Sequence, residues 1–522
     1  MRLLPVNLRR FVFFALCVLY ALPAPAQDDP RAYDAAVYLL SQTTQPYRDG
    51  RHNDLLLSLR HLQDPAMSPL FEALINSAHP PQRVHGHLGL AEISPNGHLD
   101  LAAVAEIESP SEIVELLGAA IDSGVLAQRD LVQVLAWEGL DATSRQALAV
   151  HVVAAGGAVD DTLLLESLIR NAEGVTTPQV LRHGLAALLL MQRGDASARG
   201  ELDKLNTIGP DATRDAVRAQ LLEVALRHDF EAIGPWALEL AQDDRVDLRL
   251  RLVALRAALR FLPDSSREPA LAQWANFFAG TDDAAQRIRL ALIALEASPY
   301  ARPDLYSPLF DEADALFQRI AVTGRAIASR DPNAEQAIIE LVEHGHPMAV
   351  LWAARYAQDH AGESRRAILL AILNAFEAGP ERSRGRRAAS AIDAVQALAE
   401  LEPQAATEVL PGILEQSPPR PRGELAVEHV ILLGLVRANG ADLAALARAI
   451  PEPNDSDAAD LALLLRARWD APLSAAQWQC VSQIVAGQTS LDDSLRIQMA
   501  WLYLKHLGRA GDALRDVAAQ AR

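Results

Sequence analysis

Four arginines fall within six residues at Arg382-Ser383-Arg384-Gly385-Arg386-Arg387, in a chain whose formal charge is −19. Guanidinium groups present paired donors that match carboxylate and phosphate oxygens. Arg382, Arg384, Arg386 and Arg387 are therefore the candidate binding residues, for an acidic face of a partner protein or an anionic envelope polymer. Glu377 and Glu381 beside them also fit a solvated loop that balances its own charge. The tripeptide His-Gly-His occurs twice, at 85–87 and 344–346, and six of the 14 histidines lie between His52 and His98. In a loop such a pair can chelate zinc or copper. On a helix, side chains two positions apart diverge by about 200° and cannot share an ion. Gly86 would then serve a close helix contact between His85 and His87, and no metal site is assigned. Cys480, in the helix-like run 475–485, reads as a small buried apolar residue, because nothing nearby would lower its pKa.

Other chemistry is missing from the sequence. There is no phosphate loop ending in Gly-Lys-Ser/Thr, and only Lys204 and Lys505 are lysines. H-E-x-x-H, G-x-S-x-G, paired C-x-x-C and a twelve-residue calcium loop are absent. No catalytic residue and no cofactor is assigned. Trp137, Trp236, Trp274, Trp352, Trp469, Trp478 and Trp501 are dispersed, as core residues are, with one or two available as interface anchors. An acid–base pair could still hide among the 67 carboxylates, which no single sequence can single out.

The elements that must position these residues follow from periodicity. Half the residues are hydrophobic, only 5% are aromatic, and Ala and Leu dominate, which favours a helical core. Apolar residues recur at i, i+4 and i+7 in sets that begin at 84, 117, 148, 181, 217, 248, 288, 320, 350, 391, 427, 461 (a looser set) and 495. The mean step is near 34 residues, with intervals from 30 to 41. Turn signals such as Asn96-Gly97, Gly194-Asp195 and Gly379-Pro380 fall between the sets. Paired acids at 160–161, 243–244, 282–283 and 492–493 precede helical runs, where carboxylates cap orphan N–H groups.

Segments such as Asp247-Leu-Arg-Leu-Arg-Leu-Val-Ala-Leu-Arg-Ala-Ala-Leu259 and Gln286-Arg-Ile-Arg-Leu-Ala-Leu-Ile-Ala-Leu295 carry an apolar–Arg start followed by an Ala/Leu ladder. In this the chain resembles the HEAT-repeat family. The last hairpin, with Leu504, Gly508, Ala513 and Leu514, looks tetratricopeptide-like. The resemblance implies an all-α fold, an α-solenoid of stacked antiparallel helix pairs, in which each pair covers its neighbour's apolar face. The expected organisation is an atypical N-terminal cap at 27–60, an array over 61–490 with irregular breaks near 379–387 and 417–423, and a closing hairpin at 491–522.

Arg2, Arg9 and Arg10, the apolar run Phe11 to Leu22 and Ala24-Pro25-Ala26 predict a secretory signal peptide over 1–26, cleaved after Ala26. Its removal takes three of the 48 basic residues and no acid, leaving 45 against 67 and a charge of −22. That balance disfavours nucleic acid and anionic membrane as partners. Cys480 would then be the sole cysteine, which excludes an internal disulfide. No later stretch approaches 18 apolar residues, so no integral membrane segment is expected after cleavage. The expectation is a periplasmic or secreted, non-catalytic scaffold that binds a protein. An all-α enzyme acting on an envelope or extracellular polymer, and a histidine-based metal or ligand carrier, are the alternatives.

Overall fold

Aspartate side chains begin many of the helices. Asp247 accepts from the Arg249 N–H (2.8 Å), Asp283 from Ala285 (3.1 Å), Asp314 from Leu316 (2.9 Å) and Asp492 from Leu495 (2.9 Å). Each cap is worth about 1 kcal/mol. Of the acid pairs, 282–283 and 492–493 thus cap as expected, whereas 243–244 does not. Asp243 follows the Gly234–Gln242 helix and pairs with Arg245, Asp244 pairs with Arg251, and the single Asp247 caps the next helix. Asp160 and Asp161 lie outside the described residues.

The computed structural model describes residues 29–45, 50–126, 176–205 and most of 211–520. Between 127 and 175 only scattered positions are described, and 1–28, 360–363, 379–383, 417–425, 441–442 and 454 lie outside. The segment 1–26 expected as a signal peptide and the break expected at 417–423 therefore lie outside the described residues. Among the described residues the protein is all-helical, with no strand. No helix there is long and apolar enough to cross a membrane. Two units are distinguished, residues 94–397 and a second built from 1–93 together with 398–522.

In the 94–397 unit the long helices Thr177–Gln192, Asp211–His228, Leu248–Phe261, Ala284–Glu296 and Ala315–Ala328 pack each on the next. A 3-10 turn and a further helix precede each of the last four, as Glu231–Ile233 and Gly234–Gln242 precede Leu248–Phe261. The apolar sets read from the sequence at 181, 217, 248, 288 and 320 all fall in these long helices. Two of them are followed within two positions by a left-handed residue other than glycine. Asp229 (φ 54°) and Arg330 (φ 54°) let Phe230 and Asp331 donate back to Ala225 and Ala326, which satisfies end carbonyls. Between the rows sit fully buried Trp236, Trp274 and Tyr306; the Trp274 indole donates to the Leu290 carbonyl (2.8 Å) and the Tyr306 hydroxyl to Ala294 (2.7 Å). Gly324 lies directly against the Tyr306 ring, so a side chain there has no room.

The Arg384–Leu401 helix shortens the break expected at 379–387: residues 384–387 are helical. Arg387 carries the reason, because it is buried and must be held by helical backbone packed on its neighbour.

In the other unit the helices Val427–Arg437, Ser456–Arg468, Asp493–His506, Gly50–Arg60 and Pro80–Ile93 pack in that order. The first helices of the chain thus follow its last ones in a single row. Side chains fasten the join. The Trp501 indole donates to Asp64 (2.8 Å), Lys505 pairs with the same oxygen (2.8 Å), Arg468 donates to the His61 carbonyl (2.9 Å), and the Arg509 guanidinium lies 3.5 Å from the Tyr33 ring centre. Within the segments expected as an N-terminal cap and a closing hairpin, helices Pro30–Ser41 and Gly50–Arg60 pack on Asp493–His506. Their mutual burial removes apolar faces from water.

Candidate functional site

Helical spacing assembles a cavity of about 580 Å³ in the 94–397 unit. Glu223 and Arg227 stand four apart on the Asp211–His228 helix, Arg256 and Arg260 four apart on Leu248–Phe261, and Trp352 and Tyr356 four apart on Pro347–Asp359, with Arg355 beside them. Residues four apart share a helix face, so each helix offers a pair to the same side. Glu296, the last residue of Ala284–Glu296, adds a carboxylate, and Asp229 and Tyr300 come from the turns that follow two of these helices.

The electrostatics are mixed. The Arg256 Nε contacts a Glu296 carboxylate oxygen, and its Nη1 lies 4.0 Å from Glu223. Arg260 donates to Asp229 (2.5 Å) and stands 5.9 Å from the centre of the Tyr300 ring. Trp352 and Tyr356 form an adjoining aromatic wall, ring centres 5.2 Å apart. Arg227 and Arg355 are exposed. Burial pushes the Glu296 carboxyl above the usual carboxylate range; Arg256 and Arg355 oppose the rise and Glu223 adds to it. Four arginines against three carboxylates leave the lining with an excess of one positive charge, in a protein that is strongly acidic overall. A second cavity of about 830 Å³ shares Asp229, Arg260 and Tyr300 with the first and continues past Glu231 and Arg267.

The residues singled out from sequence stand elsewhere. Arg387 is only 1% exposed and donates to the Ala375 carbonyl (2.5 Å). It is thus a core residue, and the four arginines do not form one exposed cluster. Arg382 lies outside the described residues, and Arg384 and Arg386 are placed only by their helical backbone. His85 and His87 lie on the Pro80–Ile93 helix and point apart, and Gly86 makes the close contact: a side chain there would meet the Phe71 carbonyl and the Ile75 nitrogen at 2.8 Å. Burial lowers the His85 pKa to about 4, with Arg60 adding to the effect, so its Nδ1 accepts from Arg60 at 3.1 Å. His344 and His346 flank Gly345 in a turn, where burial and then His344 lower His346. Among the described residues no group of three or more His, Cys, Asp or Glu is arranged to hold a metal ion. Cys480 is exposed, against the buried position expected. Its helix buries Val481, Ile484 and Val485, and the cysteine falls on the opposite face.

Sequence reasoning missed the cavity residues. The i,i+4 pairs Arg256/Arg260 and Trp352/Tyr356 were the available signal, but nothing local ties them to Glu223 or Glu296. No protein-family model matches the sequence, and no curated protein does. Among solved structures, the crystal structure of an engineered protein aligns over 86% of this chain and 98% of its own at 14% identity, with a TM-score of 0.18.

Proposed function

We propose that the chain is an exported, HEAT-like α-solenoid that acts as a non-catalytic scaffold in the cell envelope, periplasmic or secreted, and binds a protein along the face built by its long helices. The observation that carries this reading is the gathering of charged and aromatic side chains from four helices around one cavity. Stacked helices give a rigid surface, and Arg and Tyr on it are the residue types that dominate interface energetics. The test places a photo-crosslinking residue at exposed Glu223 or Met348, on helices that line the cavity of about 580 Å³, or at exposed Glu239, on a helix that does not, in bacterial cells that export the protein. A discrete protein adduct from the first two positions and none from Glu239 is the expected result. Equal labelling at all three, or no protein adduct at any, overturns the reading.

One observation favours a second reading, the enzyme acting on a polymer. Glu296, with its raised pKa, and Glu223 lie on either side of Arg256, beside aromatic residues. Two carboxyls in unlike surroundings, one half-buried and one exposed, are the arrangement from which glycoside cleavage draws its acid and base. Release of new chain ends from an envelope polysaccharide by the mature protein, lost in Glu296→Gln, would establish it in place of the scaffold.

A further inference from the structure

A cavity meant only for an anion would not carry three carboxylates. Glu223, Asp229 and Glu296 would repel a phosphate dianion, yet they are good acceptors for hydroxyl groups. The excess of one positive charge matches a ligand with a single carboxylate. That charge has a place to act, because Arg256 and Arg260 are engaged by Glu296 and Asp229 while Arg227 and Arg355 stand exposed on the same lining. The remaining lining, Trp352 with Tyr356 and the exposed Tyr300, offers flat faces against which a ring of C–H groups packs. The larger cavity beyond Arg260 and Tyr300 provides room for a second ring joined to the first.

We propose that the cavity binds an acidic saccharide unit, with its carboxylate on Arg227 and Arg355, its hydroxyls on Glu223, Asp229 and Glu296, and its ring against the Tyr356 and Tyr300 walls. The inference goes beyond the scaffold reading: it starts from the same cavity but assigns it a small acidic ligand, and the probes below tell that ligand from a peptide. Binding would bury a carboxylate between two guanidinium groups, and charge-assisted bonds of this kind make the difference between a uronate and its neutral parent sugar about tenfold or more in affinity.

Titration calorimetry on the mature protein from Gln27 to Arg522 tests it, with four probes: a glucuronic acid disaccharide, the matching glucose disaccharide, an Asp-Glu dipeptide and inorganic phosphate. The expected result is binding of the uronate at least tenfold tighter than of each of the other three. Arg355→Ala, at an exposed position where folding is not at stake, should remove that preference, and Tyr300→Ala should weaken the uronate and the neutral sugar alike. Equal binding of the neutral sugar, tighter binding of the dipeptide or of phosphate, an unchanged preference in Arg355→Ala, or no heat with any probe each overturns the proposal. Tighter binding of the dipeptide would at the same time strengthen the scaffold reading, so the two fail separately.

Discussion

Replacing Asp64 with Ala should loosen the join between the first and last helices of the chain. The fully buried Trp501 indole N–H donates to Asp64, and deleting the acceptor leaves that donor without a partner, at about 1–3 kcal/mol. Asp64 also accepts from the Ala66 N–H at the start of a 3-10 turn, and losing that cap adds about 1 kcal/mol. The Lys505 ammonium is 44% exposed, so its ion pair contributes under about 1 kcal/mol. The total expected for Asp64→Ala is then about 2–4 kcal/mol. Asp64→Asn keeps one acceptor oxygen for Trp501 but turns its amide NH2 toward the Ala66 N–H, so losing the cap and the ion pair should cost about 1–2 kcal/mol. The urea midpoint, followed by tryptophan fluorescence, measures both. A cycle with Trp501→Phe isolates the buried bond, with a coupling of about 1–2 kcal/mol. The pH dependence has a definite sign. Burial works against ionisation of Asp64, but the Lys505 and Trp501 hydrogen bonds and the Ala66 N–H outweigh it and hold the carboxyl below its usual value. Its stabilisation is therefore full above the unfolded value near 3.9 and is lost as pH falls through the lower folded value. Equal costs for the Ala and Asn variants, or a coupling below about 0.5 kcal/mol, would refute the reasoning.

Gly324→Ala should destabilise the 94–397 unit by about 1–3 kcal/mol in thermal unfolding, because the new methyl collides with a Tyr306 ring fixed by its hydrogen bond to Ala294; an unchanged Tm would mean that the ring can move aside. Glu296 titrates above its unfolded value near 4.3, so the folded wild type should lose stability as pH rises through the interval between the two values. Urea midpoints measured from pH 4 to 8 in the wild type and in Glu296→Gln should differ by that slope, and parallel curves would contradict the burial of this carboxyl. The Cys480 thiol of the folded mature chain should react with an aromatic disulfide reagent to one equivalent without denaturant, whereas a buried thiol would react only after unfolding.

The sequence by itself determined the helices, because their signals are local. An apolar stripe with a period of 3.6, an aspartate at the start and a left-handed residue at the stop all act within one or two turns. The sets at 217, 248 and 288 accordingly fall within long helices, and Gly86 could be read as a contact point from its own neighbourhood. Local signals also misled where burial decides. Arg387 and Cys480 each sit in a helix, and only the packing of that helix tells which faces inward: the arginine is buried on a backbone carbonyl and the cysteine is left in water. Tertiary structure alone brought Glu223 and Tyr356 to one cavity across more than a hundred residues, and seated the first helices of the chain on its last. Neither follows from pattern, because a repeat specifies that each helix must be covered but not which helix covers it, and that choice is made by complementary side chains far apart in the chain.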